Sequence, residues 1–127
     1  MPTDSADLLR DSARLAAVRA THLAGSPPEE AFDRLTRLAS HLLGAPISLL
    51  SLIDGERQWI KSAVGVDAGA VPAAIPVERS ICSRVAGTGE PLCIADVVDD
   101  ARIPGDAAMR AWGVRAYAGV PLVSPAG

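Results

Sequence analysis

Aromatic side chains are scarce in this 127-residue chain, at 3% of its residues. Phe32, Trp59, Trp112 and Tyr117 are all of them, so a hydrophobic core must consist mainly of Leu, Val, Ile and Ala. About half of the sequence (49%) is hydrophobic, and one domain of this length buries enough surface to fold without covalent crosslinks. The composition therefore predicts a single globular domain with an aliphatic core.

Cysteine is also rare, with Cys82 and Cys93 as the two in the chain. Two cysteines are too few for a disulfide framework, and their spacing lacks the CxxC pattern of zinc and redox motifs. His22 and His41 lie far from both in sequence, so local spacing forms no Cys/His ligand set. We therefore predict no metal site.

The chain has neither a strong charge nor a long hydrophobic run. Its net charge is −3, and its 12 basic residues, 11 of them Arg, are scattered among 15 acidic ones. This distribution forms no basic stripe, which argues against nucleic-acid binding. No hydrophobic run is long enough to span a bilayer, and the start Met1-Pro2-Thr3-Asp4 lacks the basic residues of a signal peptide. We predict a cytoplasmic protein with no membrane partner, and the excess of Arg over Lys and the many Ala residues are typical of proteins from GC-rich bacterial genomes.

The most informative segment is Ile47–Gly65, which predicts a β-hairpin. Two runs rich in Ile, Leu, Val and Trp flank Asp54-Gly55, a pair that readily adopts the positive φ values of a tight turn. The first run, Ile47–Ile53, is largely hydrophobic on both of its faces. Such a strand is typical of the interior of a sheet.

Two helices are predicted ahead of this hairpin. The first runs to about Leu23, with Asp4 or Ser5 as its N-cap. Its hydrophobic stripe is thin, so residues 1–24 are interpreted as an N-terminal helix that packs on a partner or lies on the surface.

The second helix follows Ser26-Pro27-Pro28-Glu29, which is a capping-box pattern. It is expected to end at Gly44. Hydrophobic residues at helical spacing predict a face that covers one side of the sheet: Phe32, Leu35, Leu38, Ala39 and Leu42.

The second half of the chain predicts shorter elements. Residues 66–76 contain Gly and Pro among small residues and are expected to form a loop. The remaining pattern predicts, in chain order, a helix near 77–86, a strand at 91–95, an acidic loop at 96–106, a helical turn at 107–112 and a strand at 114–123. Pro121 cannot donate a ladder hydrogen bond, so it indicates an edge or a bulge in the last strand.

The final residues, Ser124–Gly127, favour a turn, after which another strand would be expected. We therefore expect further strands of the sheet to come from outside this sequence. An open edge on Ile47–Ile53 would invite pairing with another chain, so the polypeptide alone is expected to dimerise by strand exchange or to aggregate.

Several motifs occur in the order found in one protein family. The Asp-Gly hairpin with Arg57-Gln58-Trp59-Ile60-Lys61-Ser62 is followed by Ser80-Ile81-Cys82, Gly89-Glu90-Pro91-Leu92, Asp96 and Tyr117-Ala118-Gly119-Val120-Pro121-Leu122. In this order they resemble a GAF domain of the bacterial signalling type, over about residues 28–127. The resemblance implies a sandwich-like α+β fold: an antiparallel sheet with helices on one face and a ligand pocket under short helices and loops on the other. It assigns residues 25–127 to the GAF domain, incomplete at its C-terminus because the family continues with two more strands.

The resemblance also implies a function, that of a non-catalytic sensory or regulatory module in a bacterial signal-transduction protein. Such a module binds an unidentified small molecule or senses redox state, and acts on an output domain (kinase, cyclase or phosphatase) through its terminal helices. A homodimer, formed by helix pairing or strand exchange, is the expected assembly. The ligand-pocket candidates are Ser51, Ile53, Trp59, Cys82, Val85, Asp96 and Tyr117.

Each candidate has a plainer interpretation beside the functional one. Cys82 and Cys93 are redox candidates, yet free cysteine usually behaves as a small buried hydrophobe. Trp59 and Tyr117 could supply an aromatic wall and a hydroxyl to a pocket, or could belong to the core. An acidic cluster could orient a polar ligand, although loop aspartates commonly cap turns: Asp96, Asp99 and Asp100, with Arg102.

Two alternative functions stay open, and the sequence identifies no particular cofactor. The alternatives are a thiol-dependent reductase similar to the GAF-type free methionine-(R)-sulfoxide reductases, and a purely structural dimerisation module. Bilin binding is disfavoured because Ala74 replaces the aspartate of an Asp-Ile-Pro segment and Ser83 follows Cys82 where a bilin subgroup has histidine. His22 and His41 belong to outer helices, which disfavours haem. The Asn-Lys-Phe-Asp-Glu signature of cyclic-nucleotide GAF domains is absent.

Overall fold

The computed structural model of the chain describes residues 8–67, 71–97, 100 and 112–123. Among these residues the helices are α1 (Ser12–Thr21), α2 (Glu30–Leu43) and α3 (Cys82–Thr88), and a short 3-10 helix spans Val77–Arg79. Five strands are β1 (Ser48–Ile53), β2 (Arg57–Val64), β3 (Ala74–Pro76), β4 (Leu92–Ile94) and β5 (Tyr117–Gly119). The predicted α+β class is confirmed. Asp99, Arg102, most of the predicted helical turn at 107–112 and the predicted final turn lie outside the described residues.

The strands form two antiparallel sheets. In the first, the order is β1-β2-β3, so β2 is central. Within the described residues β1 has β2 as its one hydrogen-bonded neighbour, and of its side chains only Ile53 is fully buried. The prediction of an interior strand at Ile47–Ile53 is therefore correct about the strand, whereas the described sheet places that strand at an edge. In the second sheet, β4 pairs with β5.

The β1–β2 hairpin forms as predicted, but by a different turn. Gly55 is not among the described glycines with positive φ. Instead, the Asp54 carboxylate accepts the backbone N–H groups of Glu56 and Arg57, each at 2.7 Å. The expectation of a positive-φ Asp-Gly turn was wrong because the side chain of Asp54 satisfies the turn's donors itself.

A β-bulge interrupts the pairing of β1 with β2. Leu50 pairs with Ser62 and Ser51 with Ile60, which leaves Lys61 as an extra residue on β2. A bulge re-aims neighbouring side chains, and both Lys61 and Ser62 are buried. Both reach the side of the sheet that carries α2: Ser62 donates to the Asp33 carboxylate at 2.6 Å, and the Lys61 ammonium lies over the Phe32 ring.

Helix α2 covers the sheet with a polar face. Thr36 is buried, and its hydroxyl lies 2.7 Å from the Ser62 hydroxyl. The leucines of the predicted core face are at least half exposed: Leu35 (54%), Leu38 (50%) and Leu42 (71%). Half-buried Phe32 and Ala39 keep part of the predicted face. The prediction for the leucines was wrong because the bulge presents polar groups to α2, and buried polar groups must be hydrogen-bonded.

The capping box predicted for α2 does not form. The helix begins at Glu30 with Glu29 as its N-cap, and no side chain caps it. Lys61 explains the difference, because its fully buried ammonium lies 2.5 Å from the Glu29 carboxylate and donates to the Ser26 hydroxyl and the Pro27 carbonyl, both at 2.6 Å. A buried charge requires such partners. The side chains of Ser26 and Glu29 therefore bind the Lys61 ammonium and do not cap the helix. The predicted end is confirmed, since Gly44 is the left-handed C-cap.

The first helix also differs from its prediction. Helix α1 begins at Ser12, where the Asp11 carboxylate accepts the Arg14 backbone N–H at 2.9 Å. Asp4 and Ser5, the predicted caps, lie outside the described residues. No residue of α1 is fully buried, in keeping with its thin hydrophobic stripe. Among the described residues, no helix has the length and hydrophobicity needed to cross a bilayer.

Segments 66–76 and 77–86 hold more structure than predicted. Ala74–Pro76 forms β3, whose middle residue Ile75 is 4% exposed. A strand of three residues is too short to show an alternation of hydrophobic and polar side chains, so the sequence indicated only a loop. The predicted helix at 77–86 is split at Ser80 into the 3-10 turn and α3, which continues to Thr88. The predicted strand at 114–123 is shortened to β5.

A small hydrophobic cluster joins α3 to the second sheet. Ile81, Ile94 and Val97 form its buried centre, between 1% and 4% exposed. Partly buried side chains pack around it: Cys82, Leu92, Trp112, Val114 and Tyr117. The cluster is mainly aliphatic, as the composition predicts, and it fixes the position of Cys82 relative to Tyr117.

Candidate functional site

Two of the predicted site residues are in direct contact. The Tyr117 hydroxyl donates to the Cys82 sulfur at 3.3 Å. Cys82 is the first residue of α3 and Tyr117 the first residue of β5, so the contact joins two elements 35 positions apart in sequence. Both side chains are partly buried. We call this contact the Cys82–Tyr117 pair.

Gly119 makes room for the pair. A Cβ atom on this residue would lie 2.2 Å from the Tyr117 hydroxyl oxygen and 2.7 Å from the ring carbon that carries it. Residues two apart on a strand share a face, so the Tyr117 side chain lies over Gly119. Any larger residue at this position would displace the hydroxyl that reaches Cys82.

Three hydrogen-bonded side chains, Ser51, Gln58 and Ser80, connect the first sheet to α3, the helix that begins with Cys82. Gln58 is 2% exposed, and its Nε2 atom donates to the Ser51 hydroxyl at 2.9 Å, across the β1–β2 ladder. Its Oε1 atom accepts a short hydrogen bond from the Ser80 hydroxyl. The Ser80 oxygen in turn accepts the backbone N–H of Ser83 at 3.1 Å, in the first turn of α3. Ser51, Gln58 and Ser80 therefore anchor α3 on β2, and we call them the Gln58 network.

Electrostatics keep both members of the pair neutral. Burial raises the pKa of the Cys82 thiol, although hydrogen bonds with Tyr117 and Gln58 oppose that rise. Burial also raises the pKa of Tyr117, and the proximity of Cys82 raises it further. A thiolate is the nucleophilic form of cysteine, so the environment disfavours the reactive state of Cys82.

The other predicted site residues occupy several places. Ile53 and Val85 are buried, at 8% and 5% exposed, the former on β1 and the latter on α3. Trp59 neighbours Gln58 on β2 and so points to the opposite face. There its indole N–H donates to Asp54 at 2.8 Å and its ring packs against Gly25.

Asp96 and Cys93 are exposed. Asp96 forms an ion pair with Arg115 at 3.4 Å on the surface. Cys93 is a free thiol on β4, opposite Ala118. The structure thus brings together Ser51, Cys82 and Tyr117, whereas Trp59 lies on the other face of the sheet.

Sequence reasoning missed Gln58 and Ser80. The signal for Gln58 was that it is the sole amide side chain of the sequence and lies next to Trp59 and Ile60 on a predicted strand, where a buried polar side chain needs partners. The signal for Ser80 was the Ser80-Ile81-Cys82-Ser83 run, in which a serine lies three residues before an N–H group in the first turn of a helix, the spacing at which a side chain can cap that group.

Two further features bear on ligands. Among the described residues, no group of three or more His, Cys, Asp or Glu side chains is arranged to hold a metal ion. A shallow open depression is lined by Val18, Arg19, His22 and Ala24, at the end of α1. It shares no residue with the Cys82–Tyr117 pair or the Gln58 network.

Comparison with known proteins identifies the fold. A family model for the GAF domain matches residues 27–127. The chain belongs to the GAF domain family. The match begins just before α2, includes β1 to β5, and confirms the family that the motif order indicated. Helix α1 precedes it.

A relative of this GAF domain occurs in a signalling enzyme. The chain is 29% identical over 101 residues to a cyclic di-GMP phosphodiesterase of Pseudomonas aeruginosa. The aligned part is 78% of this chain and 16% of the phosphodiesterase, so the chain spans about a sixth of that protein's length. The similarity supports a place for this domain in signalling.

Proposed function

We propose that this chain is a non-catalytic sensory GAF domain that binds a small molecule beside the Cys82–Tyr117 pair and the Gln58 network. The observation that supports this most directly is the hydrogen-bonded path from Ser51 through Gln58 and Ser80 to α3. It lies on the face of β2 opposite α2. Hydroxyl, amide and thiol groups beside a hydrophobic cluster are the combination that small-molecule sites use for orientation and affinity.

The proposal includes an output outside this sequence. Because the phosphodiesterase relative is several times longer than the aligned part, we propose that this domain acts on a kinase, cyclase or phosphatase in the cytoplasm of a bacterium. A ligand can signal only if it binds one arrangement of the output helices better than another. A homodimer, through helix pairing or strand exchange, remains part of the proposal.

The thiol-dependent reductase is the less favoured alternative. Such an enzyme needs an activated thiolate, whereas burial raises the pKa of Cys82. Cys93, the other candidate, is exposed on β4 and no disulfide joins the two. Incubation with free methionine sulfoxide and a thiol reductant is expected to release no methionine.

A structural dimerisation module is favoured by one observation. Cys82 and Tyr117 both pack against the Ile81–Ile94–Val97 cluster, which is the placement expected if side chains of the protein itself fill the site. Such a module would carry no small molecule and would keep its oligomeric state whatever is added.

Native mass spectrometry of the chain purified from its own host separates these functions. We expect a bound small molecule at up to one per chain, released on denaturation. Gln58→Leu should reduce its occupancy at least tenfold, because it removes both hydrogen bonds of the amide, whereas Arg34→Ala, a change on the exposed face of α2, should not. A chain that carries nothing in repeated preparations contradicts the sensory proposal.

A further inference from the structure

The Arg14 side chain holds together backbone from two parts of the chain. Its Nη1 atom donates to the Ile53 carbonyl at 2.6 Å, at the end of β1. Its Nε atom donates to the Leu8 carbonyl at 2.7 Å and its Nη2 atom to the Leu9 carbonyl at 3.2 Å. The planar guanidinium can serve three acceptors at once, and hydrogen bonds from a charged donor are stronger than neutral ones. One side chain thus fastens the segment before α1 to the β1–β2 hairpin.

Within the described part of the chain, α1 has few buried contacts besides the hydrogen bonds of Arg14. None of its residues is fully buried. Its contact with the hairpin turn is made by the Leu15 methyl groups, 3.8 and 3.9 Å from the point that a Cβ on Gly55 would occupy. Elements with few buried contacts open locally at low free-energy cost. The attachment of α1 therefore depends strongly on Arg14.

The segment held by Arg14 also contacts the helix of the candidate site. A Leu8 methyl carbon lies 3.1 Å from the point that a Cβ on Gly89 would occupy. Gly89 is the C-cap of α3, with its N–H bonded to the Val85 carbonyl. Cys82 is the first residue of the same helix. The Leu8 side chain therefore contacts the C-terminal end of α3, while the Leu8 carbonyl accepts a hydrogen bond from Arg14.

We propose that Arg14 is a positioning residue that couples α3 to α1. A displacement of α3 shifts Leu8, the shift strains the hydrogen bonds of the guanidinium, and α1 is released from the hairpin. The two states are α1 docked and α1 released, and a ligand that favours one position of α3 selects between them. This coupling rests on the proposed function in so far as a ligand moves α3.

The first test compares two arginines of α1 by hydrogen exchange with mass spectrometry. Arg14→Ala removes the three carbonyl contacts, and Arg19→Ala removes an exposed arginine of the same helix. We expect amides 15–21 to exchange about tenfold faster in Arg14→Ala than in Arg19→Ala, with amides of β2 unchanged. Equal exchange in the two variants, or an equal rise in β2 from global unfolding, would overturn the role of Arg14.

The second test concerns the path through Leu8, using a double-mutant cycle. Tyr117→Phe removes the hydrogen bond that anchors Cys82, and it is expected to speed exchange in α1 several-fold. In the Leu8→Ala background the same substitution should leave α1 exchange unchanged. The coupling is wrong if Tyr117→Phe has no effect on α1, or the same effect in both backgrounds. Neither test needs a ligand, so an empty site in native mass spectrometry would reject the sensory function without deciding this coupling.

Discussion

At the scale of single residues, the two cysteines differ in environment, and their chemistry should differ accordingly. Cys82 is partly buried, accepts a hydrogen bond from Tyr117, and has a raised pKa because of its burial. Cys93 is exposed on β4. The difference matters because it bears on whether Cys82 can act as a redox centre.

Alkylation measures that difference directly. With iodoacetamide at pH 8, we expect Cys93 to react at least about tenfold faster than Cys82, because the attacking species is an accessible thiolate. Peptide mass spectrometry gives both rates in one sample, and Cys82→Ala and Cys93→Ala assign the products. Faster reaction at Cys82 would instead support the reductase alternative.

Asp54 gives the stability of the fold a pH dependence. Burial would raise the pKa of its carboxyl group, but hydrogen bonds from the Trp59 side chain and from the backbone of Glu56 and Arg57 outweigh that effect and lower it. A carboxyl group with a lowered pKa stabilises the fold at pH values above its unfolded pKa, and this stabilisation is lost as pH falls through the folded value.

The corresponding variant is Asp54→Asn. Its free energy of unfolding in urea should be lower than that of the unaltered chain at pH 7, and the gap should shrink below about pH 4, near the carboxyl's ordinary pKa. Trp fluorescence reports the transition. A gap of the same size at pH 3 and pH 7 would show that the charge of Asp54 contributes nothing.

Residue-scale features were also the hardest to predict from sequence. The sequence predicts Cys82 and Tyr117 as candidates for one pocket, but it does not predict their direct contact, because residues 35 apart give no local signal of contact. The sole lysine, Lys61, enters the sequence prediction only as part of a motif, and its burial is not predicted. Its burial depends on a bulge, and a one-residue shift in strand pairing has no signature in a periodic pattern.

At the scale of elements, the sequence predicted which helices and strands exist better than which way they face. The hairpin, the C-terminal end of α2 at Gly44, and β4 follow from local patterns and are found. The orientation of α2 does not follow from a local pattern, because hydrophobic periodicity identifies one face of a helix but not the element against which that face packs. Here the partner strand offers Ser62, so Thr36 faces inward and the leucines face outward.

The orientation of α2 predicts which of its residues stabilise this chain. Leu42→Gln should change the free energy of unfolding by less than about 0.5 kcal/mol, because Leu42 is 71% exposed. Ile81→Ala, in the buried cluster, should cost about 2–5 kcal/mol. Urea denaturation at low protein concentration measures both. A loss above about 1.5 kcal/mol for Leu42→Gln would mean that the leucine face is covered in solution.

At the scale of the whole molecule, β2 makes polar contacts on both of its faces. On one face of β2, Lys61 and Ser62 bind the α1–α2 connection and α2 itself. On the other, Gln58 binds the start of α3 through Ser80. Residues of one strand, β2, therefore hold helices on both of its faces.

Hydrogen exchange on the chain with and without its bound small molecule measures whether occupancy of the site changes the state of α1. The chain is purified from its host, and half of the sample is stripped of small molecules by denaturation and refolding. We expect amides 15–21 to exchange at clearly different rates in the two samples, and amides of β2 to exchange at the same rate in both. A chain that carries no small molecule, or identical exchange in α1 with and without it, would overturn the proposal that the site controls α1.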